Sequence, residues 1–192
     1  MLDSISTLTH PHLGQLHTDA DAAIAAAHSL RHALTDEQLA WKPAPEVWSV
    51  LECLKHVNIT NGLYLPRLRD GLARARRADG AVPFRPGLLG RFMIRTVSPD
   101  NPRKVKTFRT FKPLPGLMDS SVVERFVEMQ EAMKEAIRDA DGLDLNTGRF
   151  ASPVSPLVRF TVGEGLTMLV RHALRHLGQA RRVTEHPQFP RA

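Results

Sequence analysis

Nine histidines are this chain's largest stock of side chains able to bind a metal or move a proton near neutral pH. Two pairs stand four residues apart, His28 with His32 and His172 with His176. That spacing puts both rings of a pair on one side of a helix. At about 100° per residue, His28 and His32 fall away from the apolar stripe that carries Leu16, Ala20 and Ala27. They are expected at the surface. The second pair is placed differently. Val162, Leu166, Leu169, Ala173, Leu177 and Ala180 form an apolar stripe, His176 borders it, and His172 sits one step outward. Gln179 follows on the histidine side, and Gly165 is expected to leave room below, so the row reads as the polar lining of a cleft.

Two imidazoles leave a divalent ion undercoordinated. Catalytic zinc sites commonly use three protein ligands and keep a position open for water or substrate. His56 is the candidate third ligand, because it is the only histidine in its own long helical segment. Glu52, one turn earlier, could orient a ring through a hydrogen bond. On spacing alone, the three could equally be unrelated histidines at polar edges of a core. Cys53 lies three residues before His56 but on another face of the helix, where it reads as a small buried hydrophobe.

The elements that must position these rings follow from periodicity. One helix is expected over about Leu13–Leu34, and Thr35-Asp36-Glu37-Gln38 resembles the capping box of a short turn. A second long helix should run from near Val47 to about Arg77, kinked by Pro66. A third starts at Asp119 or Ser120 and ends at Gly142, and a fourth covers about Val162–Thr184. Between the second and third lies the Pro-rich stretch Ala78–Met118, in which Leu88–Val97 could form a short helix and Lys104–Phe111 could form a strand. A connection of this length is usually functional or flexible. The expectation is one all-α domain over residues 1–192, a four-helix bundle with long Pro-rich connections.

Composition excludes several classes. The 192 residues are 42% hydrophobic and 24% charged, which fits one globular core and argues against disorder. One cysteine excludes an internal disulfide and a cysteine-based zinc finger. No apolar run approaches the roughly 18 residues of a membrane span, and the first ten residues lack a signal peptide's basic start and apolar stretch. A cytoplasmic protein without a membrane partner is expected. The formal charge of +6 is spread over dispersed clusters with few interleaved aromatics. Nucleic acid is therefore not the expected partner.

Several of these residues occur in a recognisable order. Trp48-Ser49 is followed by Glu52 and His56, and His172-Ala173-Leu174-Arg175-His176-Leu177-Gly178-Gln179 closes the set. Lys104–Pro113 and Asp141–Leu145 add further pieces. The chain resembles the DinB-like, or YfiT-like, superfamily, whose members show a Trp-Ser-x-x-Glu-x-x-x-His run and a His-x-x-Arg-His-x-x-Gln pattern. It departs from that pattern at Gly178, where a larger aromatic is often found. The resemblance implies a bundle with up-down-down-up wiring and makes His56, His172 and His176 ligands of a divalent metal, with zinc or nickel expected.

Characterised members of that superfamily include thiol S-transferases and a thiol-dependent maleylpyruvate isomerase. The reading this supports is a metal-dependent transferase that adds a low-molecular-weight thiol to a small electrophile. Glu52 or Gln179 would orient a ligand, and Arg103 and Lys104 would hold a carboxylate of the thiol. Arg175 is expected to be a solvated surface residue. A metal-dependent hydrolase and a non-catalytic metal-binding protein are the alternatives, and a homodimer is a possible assembly.

Overall fold

The structure, a computed structural model, describes residues 8–103, 105–114, 116 and 118–191. Four long helices build the bundle: α1 (Pro11–Ala33), α3 (Val50–Ala73), α5 (Ser121–Asp139) and α6 (Val162–Thr184). Two shorter ones, α2 (Asp36–Ala40) and α4 (Leu88–Val97), lie in the connections.

Each start has a local chemical cause. Pro11 opens α1, where its missing N–H is no loss, and the His10 side chain accepts from the His12 N–H. Three helices carry complete capping boxes: Thr35 with Gln38 on α2, Ser49 with Glu52 on α3, and Thr161 with Glu164 on α6. Each box satisfies two backbone donors that the first turn would otherwise leave bare. α3 continues through Pro66, which has no N–H to offer the Gly62 carbonyl.

The helices form a ring in which α1 and α3 each pack on both α5 and α6. Asp21 pairs with Lys134, and Arg138 donates to His17, so α1 and α5 run in opposite directions. Asn58 donates to the Val122 carbonyl and Arg69 pairs with Glu135, so α3 and α5 run the same way. His12 meets Thr167 at one end of α1 and α6, while Ala33 and Thr184 flank one groove at the other. Those two helices are therefore parallel. Leu68 lies against Gly165 and His56 against His172, which makes α3 and α6 antiparallel.

The apolar core falls into two clusters. One end holds Leu68, Met133, Phe150, Phe160 and Leu166; the other holds Leu51, Leu54, Phe126 and Ala173. Between them α3 carries His56, Asn58 and Asn61, all buried, and α6 carries His172 and His176. The polar groups are thus gathered at mid-height in the bundle.

Two sequence expectations fail in the connections. Among the described residues of 104–111 there is no strand; Arg109–Phe111 is a single 3-10 turn instead. Lys104 itself lies outside the described residues. The strands are β1 (Phe150–Ser152) and β2 (Ser155–Phe160), an antiparallel hairpin in a region read from sequence as a Pro-bearing connection. Pro153 and Pro156 obscured it. Both strands of a two-stranded sheet are edges, where proline is tolerated. The hairpin drives Phe150 against Gly165 of α6, and no side chain other than hydrogen fits there. Gly165 therefore receives an aromatic ring; it does not leave open space.

Candidate metal centre

His56 comes from the second turn of α3, and His172 and His176 from the middle of α6. The antiparallel packing of those helices brings the three together, 4%, 8% and 7% exposed. The ring centroids are 4.9 Å apart for His56 and His172, and 4.5 Å apart for each of the other two pairs. One ligand atom from each ring lies within 4.8 Å of the others. The closest approach is His56 Nε2 to His172 Nε2, at 3.1 Å. Two nitrogens on one tetrahedral ion stand about 3.4 Å apart at zinc–imidazole bond lengths, so that pair is near ligand spacing. Among the described residues this is the one group of three such side chains.

A backbone carbonyl fixes the first ring. His56 Nδ1 donates to the Phe111 oxygen at 2.7 Å. A carbonyl can only accept, so the proton sits on Nδ1 and the Nε2 lone pair faces the other two rings. The Nδ1 atoms of His172 and His176 are buried with no hydrogen-bond partner. Three imidazoles turned on one another, two with an unpartnered nitrogen, make a costly core and a good set of Lewis bases.

All three are held neutral. Burial lowers the pKa of His56, against a smaller opposing effect of the Phe111 carbonyl. Burial, then the neighbouring His176, His56 and Arg175, puts His172 well below the usual imidazole value. Burial with His56 and Arg175 brings His176 down to about 3, although Gln179 favours its charged form. Neutral imidazole is the form that ligates a metal. The donor set fits a divalent ion.

A profile described as the DinB superfamily matches residues 19–180. The chain belongs to the DinB superfamily. No curated protein and no solved structure matches it.

In this DinB-superfamily protein the histidines lie on the floor of a cavity of about 1100 Å³. Trp48 covers one side, its ring 5.0 Å from His56 and 5.8 Å from His176. The long connection folds over the site through α4, Arg103 and Phe111. Gly178 borders the same cavity, and a Cβ added there would meet only Arg182 Nη1, at 3.7 Å. The missing side chain leaves that wall open.

The other sequence candidates are placed as follows. Glu52 does not orient a ring: one carboxylate oxygen accepts from the Ser49 N–H at 2.9 Å, and the group pairs with Lys42. Its duty is the capping box, and the Phe111 carbonyl supplies the orientation expected of it. Gln179 borders the cavity beside His176, without closing a hydrogen bond to its Nδ1. Arg103 lines the mouth and is exposed, whereas Lys104 lies outside the described residues. Arg175 is not a free surface cation. Its guanidinium donates to the carbonyls of Ser98, Asn101 and Arg103 at 2.9, 2.6 and 2.7 Å, tying the connection to α6. His28 and His32 are exposed with ring centroids 6.4 Å apart, away from the centre. Cys53 is fully buried, and burial pushes its thiol pKa up, so it is inert.

The Phe111 carbonyl and the Arg175 clamp escaped sequence reasoning. A carbonyl carries no residue signature. Arg175 had a faint one, since it stands between the two histidines of the same motif.

Proposed function

We propose that this protein is a divalent-metal-dependent transferase that joins a low-molecular-weight thiol to a small electrophile. One observation carries the reading: three buried neutral imidazoles, with no fourth ligand beside them among the described residues, converge on the floor of a cavity large enough for two small molecules. Structural zinc sites are closed by four protein ligands, whereas three leave a position for chemistry. His56, His172 and His176 would hold the ion, which when bound favours the thiolate, the nucleophilic form of a thiol. The Phe111 carbonyl keeps the His56 Nε2 lone pair turned inward. Trp48 and the folded-over connection limit water at the rings. Arg182 and Arg103 border the cavity with no carboxylate partner among the described residues. With Lys104 they are the groups proposed to hold a thiol carboxylate. The pairwise helix directions support up-down-down-up wiring.

Hydrolysis is the weaker reading, because Glu52, the carboxylate nearest to His56 in sequence, is engaged by Ser49 and Lys42 and is not free to act as a base. The test is consumption of a haloaromatic electrophile by metal-loaded protein, with and without a carboxylate-bearing thiol such as glutathione or cysteine. Turnover that needs both metal and thiol supports the transferase. Turnover without thiol means hydrolysis, and metal binding with no turnover in any combination means a binding protein. Exchanging Arg103 and Lys104 together for Ala should raise the thiol KM several-fold with metal content unchanged. An unchanged KM would leave that segment with a packing role only.

A further inference from the structure

The cavity has two chemically different arms. Along α6 its lining runs from Met168 to Val183, about 22 Å of helix axis with the histidines between, and His186 continues it just past the helix end. Helix α4 runs alongside in the same direction, since Gly87 N–H bonds Glu164 near its start and the Ser98 carbonyl accepts from Arg175 at its end. Leu89 and Met93 of α4 therefore lie toward the Met168 side and Val97 comes level with the histidines, while Val154 and Val158 of the hairpin line the same cavity. Neither α4 nor the hairpin contributes a charged side chain to the lining. Beyond His176 the lining changes to Gln179, Arg182 and His186, with Glu46 at the rim.

The hydroxyls of the apolar arm are mostly spent on the protein. Thr60 donates to the His56 carbonyl and Thr96 to the Phe92 carbonyl. Tyr64 and Ser152 bond each other at 3.1 Å, which leaves one hydroxyl proton between them. A charged ligand seated between α4 and the hairpin would be desolvated with no counter-charge from either wall, at large cost. The cations of the lining (Arg103, Lys106, Arg175 and Arg182) come from other segments. A polar one would find a single donor. An apolar molecule loses nothing and gains burial in a site directly continuous with the histidines.

We infer that the arm between α4 and the β-hairpin binds a neutral, apolar molecule carrying at most one hydrogen-bond acceptor, and that this molecule is the electrophile of the proposed transfer. The binding follows from the walls alone; only the word electrophile rests on the transferase reading. The anionic co-substrate takes the other arm, so the two reactants approach the rings from opposite sides.

The test uses N-phenylnaphthylamine, a neutral apolar fluorophore, titrated into the full-length protein with and without excess EDTA. One probe should bind per chain, equally well in EDTA. Leu89→Glu, on a residue 45% exposed and so safe for folding, should raise the dissociation constant at least tenfold. Val158→Phe, which narrows the arm, should do likewise. Leu88→Glu is the control, because Leu88 is 85% exposed on the outer face of α4 and does not line the cavity. It should leave binding unchanged. Three results would overturn the inference: no saturable binding, equal weakening by Leu88→Glu and Leu89→Glu, or loss of binding in EDTA. The titration needs neither metal nor turnover, so a failure of the transferase reading leaves it intact, and its own failure leaves the metal centre untouched.

Discussion

Acidifying the metal-free protein should destabilise it through the buried imidazoles, well before its carboxylates titrate. His176 has an ordinary value of 6.5 in the unfolded chain and about 3 in the folded one. A folded value below the unfolded one means that the unfolded state binds more protons as pH falls. Stability from this group is therefore complete above about pH 7 and is lost progressively as pH drops below 6.5. From pH 6.5 to about pH 5 the loss from His176 alone is about 1.6 kcal/mol. His172 and His56, whose values are also lowered by burial, act in the same direction. Urea unfolding in EDTA, followed by circular dichroism at each pH, reads the slope. Comparison with His176→Gln reads this contribution together with the smaller relief of His172, whose pKa His176 also lowers. Wild type should lose about 1.5 kcal/mol more than the variant over that window. Indistinguishable slopes would mean that His176 is not buried in neutral form, and the argument for a ligand-ready cluster would fail with it.

Two glycines of α6 should respond to alanine in opposite ways. Gly178→Ala adds a Cβ at ordinary contact distance from Arg182, so thermal unfolding should show a gain of about 0.5–1 kcal/mol. Gly165→Ala drives a Cβ into Phe150 and should cost about 1–3 kcal/mol; a neutral result would mean that the hairpin does not seat its ring there. Arg175→Ala removes three charge-assisted bonds to the connection, so amide exchange at residues 98–103 should accelerate while the helical circular dichroism stays the same. Unchanged exchange would show that the clamp does not hold the segment.

The long helices and the three rings were legible because both rest on local period. Apolar stripes mark α1, α3, α5 and α6, and an i, i+4 pair on an apolar edge marks His172 and His176 whatever the rest of the chain does. His56 stood out as the lone histidine of its segment. Pairings set only by tertiary packing were not legible. Glu52 satisfies a capping box as well as it could orient a ring, and the local reading is the one that prevails. Arg175 lies on the polar side of a helical wheel, and only the folded connection supplies the three carbonyls that hold its guanidinium. The hairpin was hidden because Pro153 and Pro156 read as breakers, whereas Pro153 sits in the turn between the strands and Pro156 in an edge strand that tolerates it.

The measurement that bears most directly on the metal centre is elemental analysis of protein purified without a His-tag, for wild type and for His56→Ala, His172→Ala and His176→Ala. Wild type should carry about one divalent ion per chain, and each variant should lose it while keeping its helical circular dichroism, since the bundle has a hydrophobic core of its own. A variant that retains a full complement of tightly bound metal, or a wild type that binds none when supplied with zinc or nickel, would contradict the assignment of these three histidines as the metal ligands.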